Sequence, residues 1–362
     1  MKLATVKLKD MVARAVKGSG NNKLIPITEL IKIQVKDGVL TLCTTDGSNY
    51  LYIRETVSGE DFYTVVSTEV FSKLISRTTS EYVDLELTDS ALKVIGNGSY
   101  RIELPLDENG EPVRYPDPLA NKANMDSMDH SAIIKRSTVS DIVATLKTSL
   151  ATTFEVPCYT GYYIDNDSVI ATDTYKIGHM TTDGFSLGRV LLSPSVLDLL
   201  TIITDENINV RNNTNYYLFD SDNCSIYSPV MDGVDDYAVT AISDLIKTSF
   251  VSSCSVLKND LLATLDRLTL FISPYDKNGI YLAFTADGLQ ITSKAASGIE
   301  LIKYQKKGAV SEFTCMVDVE MLTQEVKAIS SDTIIVEYGE PNAIKLSDGD
   351  KTTIIIALLE DD

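Results

Sequence analysis

The stretch Val169-Ile170-Ala171-Thr172-Asp173-Thr174-Tyr175-Lys176-Ile177 is an apolar strand that enters a short polar turn and then resumes as apolar residues. A strand and a tight turn precede it, in residues 161–168. The same pattern occurs near the start of the chain, in residues 33–47, and late in the chain, in residues 281–293. Self-similarity at a spacing of about 125 residues indicates a repeated architecture. We therefore predict three copies of one structural unit.

Helix signals recur in the same order in each copy. One amphipathic helix precedes the first strands, and a second follows a strand that ends in a Ser or Asp cap. The caps are Ser67, Ser193 and Asp318, again about 125 residues apart. The predicted helices are residues 7–17, 68–76, 135–150, 195–203, 258–271 and 319–329.

The remaining apolar segments alternate with polar residues, as strands do. Asp37-Gly38 between two of them favours a hairpin turn, because both residue types tolerate positive φ. We expect an α+β fold of three tandem domains, each with two helices packed on antiparallel sheets. The predicted domains are residues 1–120, 121–247 and 248–362, with a polar, proline-containing linker at 107–130.

Composition limits the class of protein. The hydrophobic fraction of 44% is typical of a globular chain, and no apolar run reaches the ~18 residues of a membrane span. The N-terminal residues lack the apolar core of a signal peptide. The five cysteines are scattered and never spaced as Cys-x-x-Cys, which favours buried free thiols in a reducing compartment over disulfides or a zinc site. We expect an intracellular protein with no membrane partner.

Enzymatic chemistry has little support in this sequence. Only His130 and His179 are available for histidine catalysis or metal binding, and there is no phosphate-binding loop, dinucleotide turn or nucleophile elbow. Carboxylate clusters such as Asp235-Asp236 come without a partner that would set one acid apart from the other. We predict no enzymatic activity and no cofactor, with a hydrolase on a repeated scaffold as a minor alternative.

Three groups of residues carry a resemblance to a known family. The first is Leu24-Ile25-Pro26-Ile27 with residues 37–46, the second is Ala171-Thr172-Asp173 with residues 232–237, and the third is residues 278–293. In order and in length the chain resembles the bacterial-type beta sliding clamps. These are the beta subunits of DNA polymerase III, which act as processivity factors in DNA replication.

The resemblance implies a ring-shaped homodimer of six domains, with helices lining a central hole and sheets forming the outer wall. Double-stranded DNA would thread through the hole without sequence-specific contacts, and the ring would tether a replicative DNA polymerase. The other implied partners are the clamp loader and proteins that carry clamp-binding peptide motifs. The implied compartment is the cytoplasm of a bacterial or phage-infected cell. A clamp-shaped interaction hub that never encircles DNA is the alternative.

The formal charge of −19 ordinarily opposes nucleic-acid binding. A ring that slides, however, needs only a modest positive potential on its inner helices. Lys7, Arg14 and Lys17 fall on one face of the first helix. The alternative is that such residues form ordinary solvated helix faces. The residues that the resemblance places toward DNA are Lys7, Arg14, Lys17, Lys23, Lys73, Arg77, Arg136, Lys147, Lys258, Arg267 and Lys327.

The resemblance also implies an apolar pocket for partner peptides at the Thr-Asp turn. Alternate residues of the run 354–356 must nevertheless point into a core. The implied pocket residues are Tyr159, Thr172, Thr174, Tyr175, Lys176, Ile177, Val239, Ile344, Ile354, Ile355, Ile356 and Leu358.

This sequence departs from the family pattern around that pocket. Thr174-Tyr175-Lys176 replaces Gly-His-Arg, and Val234-Asp235-Asp236-Tyr237 lacks the proline of Phe-Pro-Asp-Tyr. The tail, residues 359–362, is more acidic, which would favour a basic flank on the partner peptide. A divergent clamp from a phage or another specialised replisome is a hypothesis that these departures suggest.

Ring closure in the family joins the edge strands of two copies. By position, Ile102 and Leu104 of one copy would meet Phe271 and Ile272 of the other. Such a contact would cover apolar edges that otherwise favour aggregation. Ordinary placement in a core is the alternative for each residue.

Overall fold

The structure of the chain is a computed structural model. It describes residues 1–185, 187–272, 278–294, 297–306, 311–339 and 342–360. Asp361 and Asp362 of the acidic tail lie outside the described residues. Contacts group the chain into two compact units: unit 1 is Met1–Val139 with Ser195–Val230, and unit 2 is Ser140–Pro194 with Met231–Asp362.

Six of the helices confirm the sequence predictions to within a few residues, and the predicted caps form at two of them. Ser67 Oγ accepts the Val70 N–H of α2 at 3.4 Å, and Asp318 Oδ1 accepts the Met321 N–H of α8 at 2.9 Å. Helices α3 and α6 were not predicted. The α-helices of the described residues are α1 Thr5–Ala15, α2 Thr68–Arg77, α3 Lys122–Asp126, α4 Arg136–Leu146, α5 Pro194–Leu200, α6 Val239–Lys247, α7 Lys258–Thr269 and α8 Val319–Ala328.

Apart from short 3-10 helices, strands form the other regular elements, and every strand pairing among the described residues is antiparallel. They are β1 Lys2–Ala4, β2 Leu30–Lys36, β3 Val39–Thr45, β4 Tyr50–Thr56, β5 Phe62–Ser67, β6 Tyr82–Leu87, β7 Ala91–Ile95, β8 Ser99–Glu103, β9 Asp129–Lys135, β10 Tyr162–Asp165, β11 Ser168–Thr172, β12 Lys176–Thr181, β13 Val190–Leu192, β14 Asn207–Asn212, β15 Tyr216–Asp220, β16 Cys224–Pro229, β17 Ser252–Leu257, β18 Gly279–Phe284, β19 Leu289–Ser293, β20 Ile299–Ile302, β21 Gln305–Lys306, β22 Phe313–Asp318, β23 Thr333–Tyr338, β24 Ala343–Ser347 and β25 Thr352–Ala357.

Unit 1 contains an eight-stranded and a four-stranded sheet. The larger has the order β5-β2-β3-β4-β16-β15-β14-β9, and the smaller has the order β1-β6-β7-β8. The predicted β2–β3 hairpin forms, with φ of 51° at Asp37 and 76° at Gly38. Strand β4 of the first sequence copy pairs with β16 of the second, with Tyr50 opposite Tyr227. One continuous sheet therefore joins parts of two copies.

Unit 2 repeats this arrangement. Its nine-stranded sheet has the order β13-β10-β11-β12-β25-β24-β23-β17-β21, and its four-stranded sheet has the order β20-β19-β18-β22. Strand β12 pairs with β25, with Ile177 opposite Ile355. The second and third copies are thus joined in the same way as the first and second.

An apolar cluster of unit 2 lies where α7 and α8 pack with strands of both sheets. Leu265 of α7, Val326 of α8 and Ile291 of β19 are fully buried in it. We call this cluster the helix core. In unit 1, α1 and α2 similarly bury Leu8 and Phe71. These amphipathic faces match the periodicity seen in the sequence.

The five cysteines are buried thiols, as their scattered spacing predicted. Burial raises the pKa of Cys43, Cys224, Cys254 and Cys315 to about 12. Such thiols stay protonated at neutral pH and are poor nucleophiles. Among the described residues, no helix has the length and apolar character needed to cross a membrane.

We expect Ile291→Ala to lower the free energy of unfolding by about 2–5 kcal/mol, because it leaves a cavity in the helix core. The adjacent residue Thr292 points away from that core, so Thr292→Ala should change it by less than ~0.5 kcal/mol. Urea titrations followed by circular dichroism compare the two variants. Equal shifts would show that Ile291 does not anchor this core.

Candidate functional site

The Thr-Asp turn that opened the sequence analysis is held by its own side chains. Thr172 Oγ1 donates to the Lys176 carbonyl at 2.7 Å and accepts the Thr174 N–H at 3.2 Å. Asp173 Oδ1 accepts the N–H groups of Tyr175 and Lys176 at 3.0 and 2.9 Å. The turn is therefore a compact side-chain-capped loop between β11 and β12.

Unit 1 contains the same turn between β3 and β4. Thr45 Oγ1 donates to the Asn49 carbonyl at 2.6 Å and accepts the Gly47 N–H at 3.1 Å. Asp46 Oδ1 accepts the N–H groups of Ser48 and Asn49 at 2.8 and 2.7 Å. The match identifies residues 45–49 and 172–176 as equivalent positions of the sequence repeat.

The third residue differs between the two turns in a way that matters physically. It has positive φ in both, 101° at Gly47 and 81° at Thr174. Glycine adopts this conformation freely, whereas a β-branched residue is strained there by about 1–3 kcal/mol. Thr174 is one of the family-pattern departures seen in the sequence, so the departure introduces backbone strain at the turn.

An apolar cluster lies on one face of the nine-stranded sheet beside this turn. The Tyr237 ring packs edge-on against Tyr159 at 5.0 Å and tilted against Tyr163 at 4.9 Å between centroids. Its other members include Ile170, Ile177 and Ile355. We call these six residues the tyrosine cluster. It unites β10, β11, β12, β25 and the segment before α6.

Only some of the predicted pocket residues belong to this cluster. Tyr159, Ile177 and Ile355 are members, Val239 packs against it, and Thr172 is buried in the adjacent turn. Thr174 and Tyr175 are exposed at the turn, Tyr175 with 67% of its surface accessible. The structure thus brings seven of the twelve predicted residues to one place.

The other five point elsewhere and require a correction. Ile344, Ile354 and Ile356 are buried in the helix core, and Leu358 packs against that core. Side chains alternate along a strand, so β25 and β24 turn Ile355 and Ala343, not their neighbours, toward the tyrosine cluster. Lys176 also points away: its Nζ lies 3.2 Å from the Glu325 carboxylate of α8.

Helix α6 forms one wall of a groove beside the tyrosine cluster. The groove encloses about 430 Å³ and is lined by Tyr163, Ile170, His179, Val239 and Ile246, among others. The 234–247 segment was not predicted to be helical. The apolar residues at 239, 242, 245 and 246 fall on one helical face and could have revealed it.

Arg189 ties the segment before α6 to the sheet. Its Nε donates to Tyr163 Oη at 3.2 Å, and its guanidinium contacts the Val234 carbonyl and Asp235 at 3.3 and 3.0 Å. Sequence analysis did not single out Arg189, because its partners lie far along the chain. Its positive charge is matched by the Asp235 carboxylate at the edge of the apolar surface.

The predicted DNA-facing residues of unit 1 fall into two groups. Lys7 pairs with Glu55 at 2.7 Å, and Arg136 pairs with Glu206 at 3.6 Å. Arg14 hydrogen-bonds Asn223 at 2.9 Å. Lys73 hydrogen-bonds Glu69 one turn earlier, which lowers the pKa of that carboxyl. The second group is exposed and has no carboxylate partner among the described residues; it consists of Lys17, Lys23 and Arg77.

In unit 2, two of the predicted DNA-facing residues bind groups of their own unit. Lys258 Nζ donates to the Lys327 and Ile329 carbonyls, where it caps the end of α8. Arg267 binds both oxygens of Glu300 on β20, at 2.8 and 2.6 Å, so its charge is matched by a carboxylate at a strand edge. Lys147 and Lys327 are exposed.

Two four-stranded sheets end in edge strands that carry exposed apolar residues. Within the described part of the chain, β8 of unit 1 pairs only with β7, and Tyr100 is exposed on it. In unit 2, β19 is the one described strand that pairs with β20, and Ile299 and Leu301 are more than half exposed. Edges of this kind bind further strands. Sequence analysis missed these three residues.

The four predicted dimer residues are placed differently from one another. Ile102 is buried inside its own unit, and Leu104 is half-buried. Phe271 is half-exposed just after α7, whereas Ile272 packs partly against the helix core. Ile102 therefore serves its own sheet, because the inward face of β8 needs an apolar residue.

Comparisons with known proteins identify the class of fold. The DNA polymerase beta subunit of Streptococcus pyogenes superposes with a TM-score of 0.85 at 18% identity, over 99% of each chain. The DNA polymerase sliding clamp of Bacillus subtilis gives 0.83 at 16% identity, over 100% of this chain and 99% of that one. A sliding clamp from Pseudomonas aeruginosa bound to griselimycin gives 0.83 at 14% identity, with the same coverage.

The chain has the fold of the bacterial DNA polymerase III beta sliding clamps over its whole length. No protein-family model and no curated protein matches this sequence. The resemblance read from the three sequence copies is thereby confirmed at the level of the fold.

We expect His179 to make the stability of unit 2 depend on pH. Burial lowers the pKa of His179, whose Nε2 lies 3.1 Å from Ser168 Oγ. As pH falls through about 6.5 the unfolded chain binds a proton before the folded one does, so stability decreases toward acid. Urea midpoints at about pH 7 and pH 5.5 should fall more for the natural chain than for His179→Gln. Identical falls would contradict this assignment.

Proposed function

We propose that this protein is a DNA sliding clamp that encircles duplex DNA and holds a replicative DNA polymerase on its template. The observation that carries this proposal is the structural similarity to solved clamps, which covers 99% or more of this chain and 99% of each clamp chain. Sequence identities below a fifth establish the fold alone, so the activity rests on the features of this chain. Those features are edge strands, exposed basic residues and an apolar pocket.

The proposed assembly is a homodimeric ring. Each subunit would contribute three domains, residues 1–120, 121–247 and 248–362. The β8 edge of one copy would pair with the β20 edge of the other, which would cover Tyr100, Ile299 and Leu301. Leu104 and Phe271 would lie beside this pairing. The Arg267–Glu300 pair holds β20 to α7 and would stabilise the edge.

The proposed mode of DNA binding is topological. Ion pairs with nearby carboxylates cancel much of the positive charge at the predicted DNA-facing positions, and the chain as a whole carries −19. A few exposed cations, Lys17, Lys23, Arg77, Lys147 and Lys327, would supply a weak attraction to phosphates. Weak attraction permits sliding, whereas many strong phosphate contacts would resist it.

The proposed partner site is the tyrosine cluster with the exposed turn residues Thr174 and Tyr175. Its apolar surface suits a short hydrophobic peptide from the polymerase, the clamp loader or other replication proteins. The griselimycin complex of the Pseudomonas aeruginosa clamp offers a probe, and we propose that griselimycin binds this surface here.

The proposed role is mechanical, with no bond made or broken by the protein. Within the described residues no group of histidine, cysteine and carboxylate side chains is arranged to hold a metal. A clamp acts where the DNA is, so the function implies the cytoplasm of a bacterial or phage-infected cell. A protein-binding hub of the same shape, which never encircles DNA, is the second candidate.

Threading over the ends of linear DNA tests the proposed function. The protein is mixed with a biotinylated free-ended duplex, streptavidin then blocks both ends, and salt is raised to about 1 M, where charges are screened within roughly 3 Å. A clamp is retained only when the ends are blocked. Retention without blocked ends would indicate ordinary binding, and no retention at all would favour the hub.

Charge variants sharpen this experiment. Arg77→Gln removes an unpaired cation from α2 and should slow threading several-fold at low salt. The control, Glu69→Gln with Lys73→Gln, removes an ion pair from the same helix without changing the net charge. It should thread like the natural chain. If both variants behave alike, α2 does not face the DNA.

We expect a native mass of twice the 39.7 kDa chain by sedimentation. Leu301→Glu should weaken dimerisation at least ~10-fold, because it buries a charge at the β20 edge. Leu106→Glu is the matched control, since Leu106 is equally exposed but lies outside the edge strands. A monomer in the natural chain, or a dimer insensitive to Leu301→Glu, would contradict the proposed interface.

A further inference from the structure

A buried carboxylate lies directly behind the pocket turn. Glu325 of α8 has no accessible surface, and Lys176, with 7% accessible, places its Nζ 3.2 Å from Glu325 Oε1 and 3.7 Å from Asp173 Oδ2. Ser149 Oγ donates to Glu325 Oε2 at 3.2 Å. The desolvated pair therefore connects the turn, a helix and the segment after α4.

Close packing at this point depends on a glycine. A Cβ at Gly178 would lie 2.6 Å from Ser149 Oγ, so only glycine lets the segment after α4 approach β12. Ser149 thereby reaches Glu325 and orients its carboxylate toward Lys176. The cluster is thus built from β12, α8 and the segment after α4.

Stability alone does not account for a buried ion pair, because well-packed apolar residues at the same positions would stabilise the core equally or more. The equivalent turn in unit 1 shows a simpler solution. Its fifth residue is Asn49, whose Nδ2 donates to Asp46 Oδ2 at 2.8 Å and to Ser195 Oγ at 3.1 Å. That turn contains Gly47, and its fifth residue is held by hydrogen bonds from a neutral amide instead of by an ion pair.

The strained turn is the one with the ion pair. Thr174 occupies a left-handed conformation that Gly47 adopts without strain, and such conformations persist only where the surroundings hold them. The fifth residue of this turn is Lys176, which is anchored to Glu325 from the opposite face of the sheet. The strained residue Thr174 and the anchored residue Lys176 thus lie in the same turn.

We propose that Glu325, acting through Lys176, is a positioning residue for the peptide pocket. The ion pair holds the Thr172–Lys176 turn in its strained form, which fixes exposed Tyr175 beside the tyrosine cluster. This inference rests on the proposed peptide-binding function. It assigns a role in ligand binding to a helix on the other face of the sheet.

Hydrogen exchange tests the positioning without any ligand. Replacing both charges, Lys176→Met with Glu325→Leu, avoids leaving a lone buried charge, so the full-length protein should keep its thermal midpoint. The backbone amides at positions 174, 175 and 176 should then exchange at least ~10-fold faster than in the natural chain. The amides of Ser48 and Asn49 in the unit 1 turn serve as the internal control and should not change.

Relief of the strain should remove the need for the anchor. In a Thr174→Gly background, the same double replacement should accelerate exchange of the turn amides by less than ~2-fold. This dependence on residue 174 would distinguish a loss of turn positioning from a general loss of structure. Unchanged exchange in the double variant, or equal acceleration with and without Thr174→Gly, would overturn the proposal.

Binding of griselimycin supplies the functional readout. The double variant should bind it about 10-fold more weakly than the natural chain, and Thr174→Gly should restore most of the loss. If the natural chain binds griselimycin and the double variant binds equally well, the inference fails while the proposed pocket stands. If the natural chain does not bind it, the proposed pocket fails, and the exchange experiment still decides the positioning role.

Discussion

Strand β25 serves two apolar clusters at once, and unit 2 depends on that arrangement. Ile354 and Ile356 enter the helix core, while Ile355 enters the tyrosine cluster on the opposite face. Neighbouring β12 also serves both faces: Lys176 contacts Glu325 of α8 on one face, and Ile177 enters the tyrosine cluster on the other. Because successive side chains of a strand point in opposite directions, a change on one face leaves the other intact only if the strand stays in register. The helix core and the proposed binding surface therefore share one structural element.

The sequence repeat made the fold predictable. The site was less predictable, because its residues contact partners that lie far away in the sequence. Periodicity and caps gave six helices, since these signals are local. Apolar character alone could not tell which face Ile344 or Ile355 would occupy, because that depends on register with β12. Charge alone could not show that Arg267 binds Glu300, because the two residues meet only in the fold. The repeat marked the Thr-Asp turn, whereas the family resemblance indicated only Tyr159, Ile177 and Ile355 of the tyrosine cluster.

The distribution of charge is compatible with the polyanionic ligand that we propose for this acidic protein. Carboxylates pair with Lys7, Lys73, Arg136 and Arg267, so several cations on the helices are matched locally. Exposed pairs of this kind add little stability. They lower the field that phosphates would feel, and exposed cations such as Lys17, Lys23 and Arg77 would leave a shallow attraction. A protein that moves along DNA requires that its attraction vary little from one position to the next.

The Lys176–Glu325 pair also limits how this sequence can drift. Loss of either residue alone strands a buried charge, whereas joint replacement by apolar residues does not. Point mutations arrive one at a time, so joint replacement passes through a single variant that is destabilised by an unpaired buried charge. A glycine at position 174 would open a detour, because the turn could then tolerate a weaker anchor. We therefore expect substitutions in the turn and in α8 to be coupled, although the two segments lie far apart in the chain.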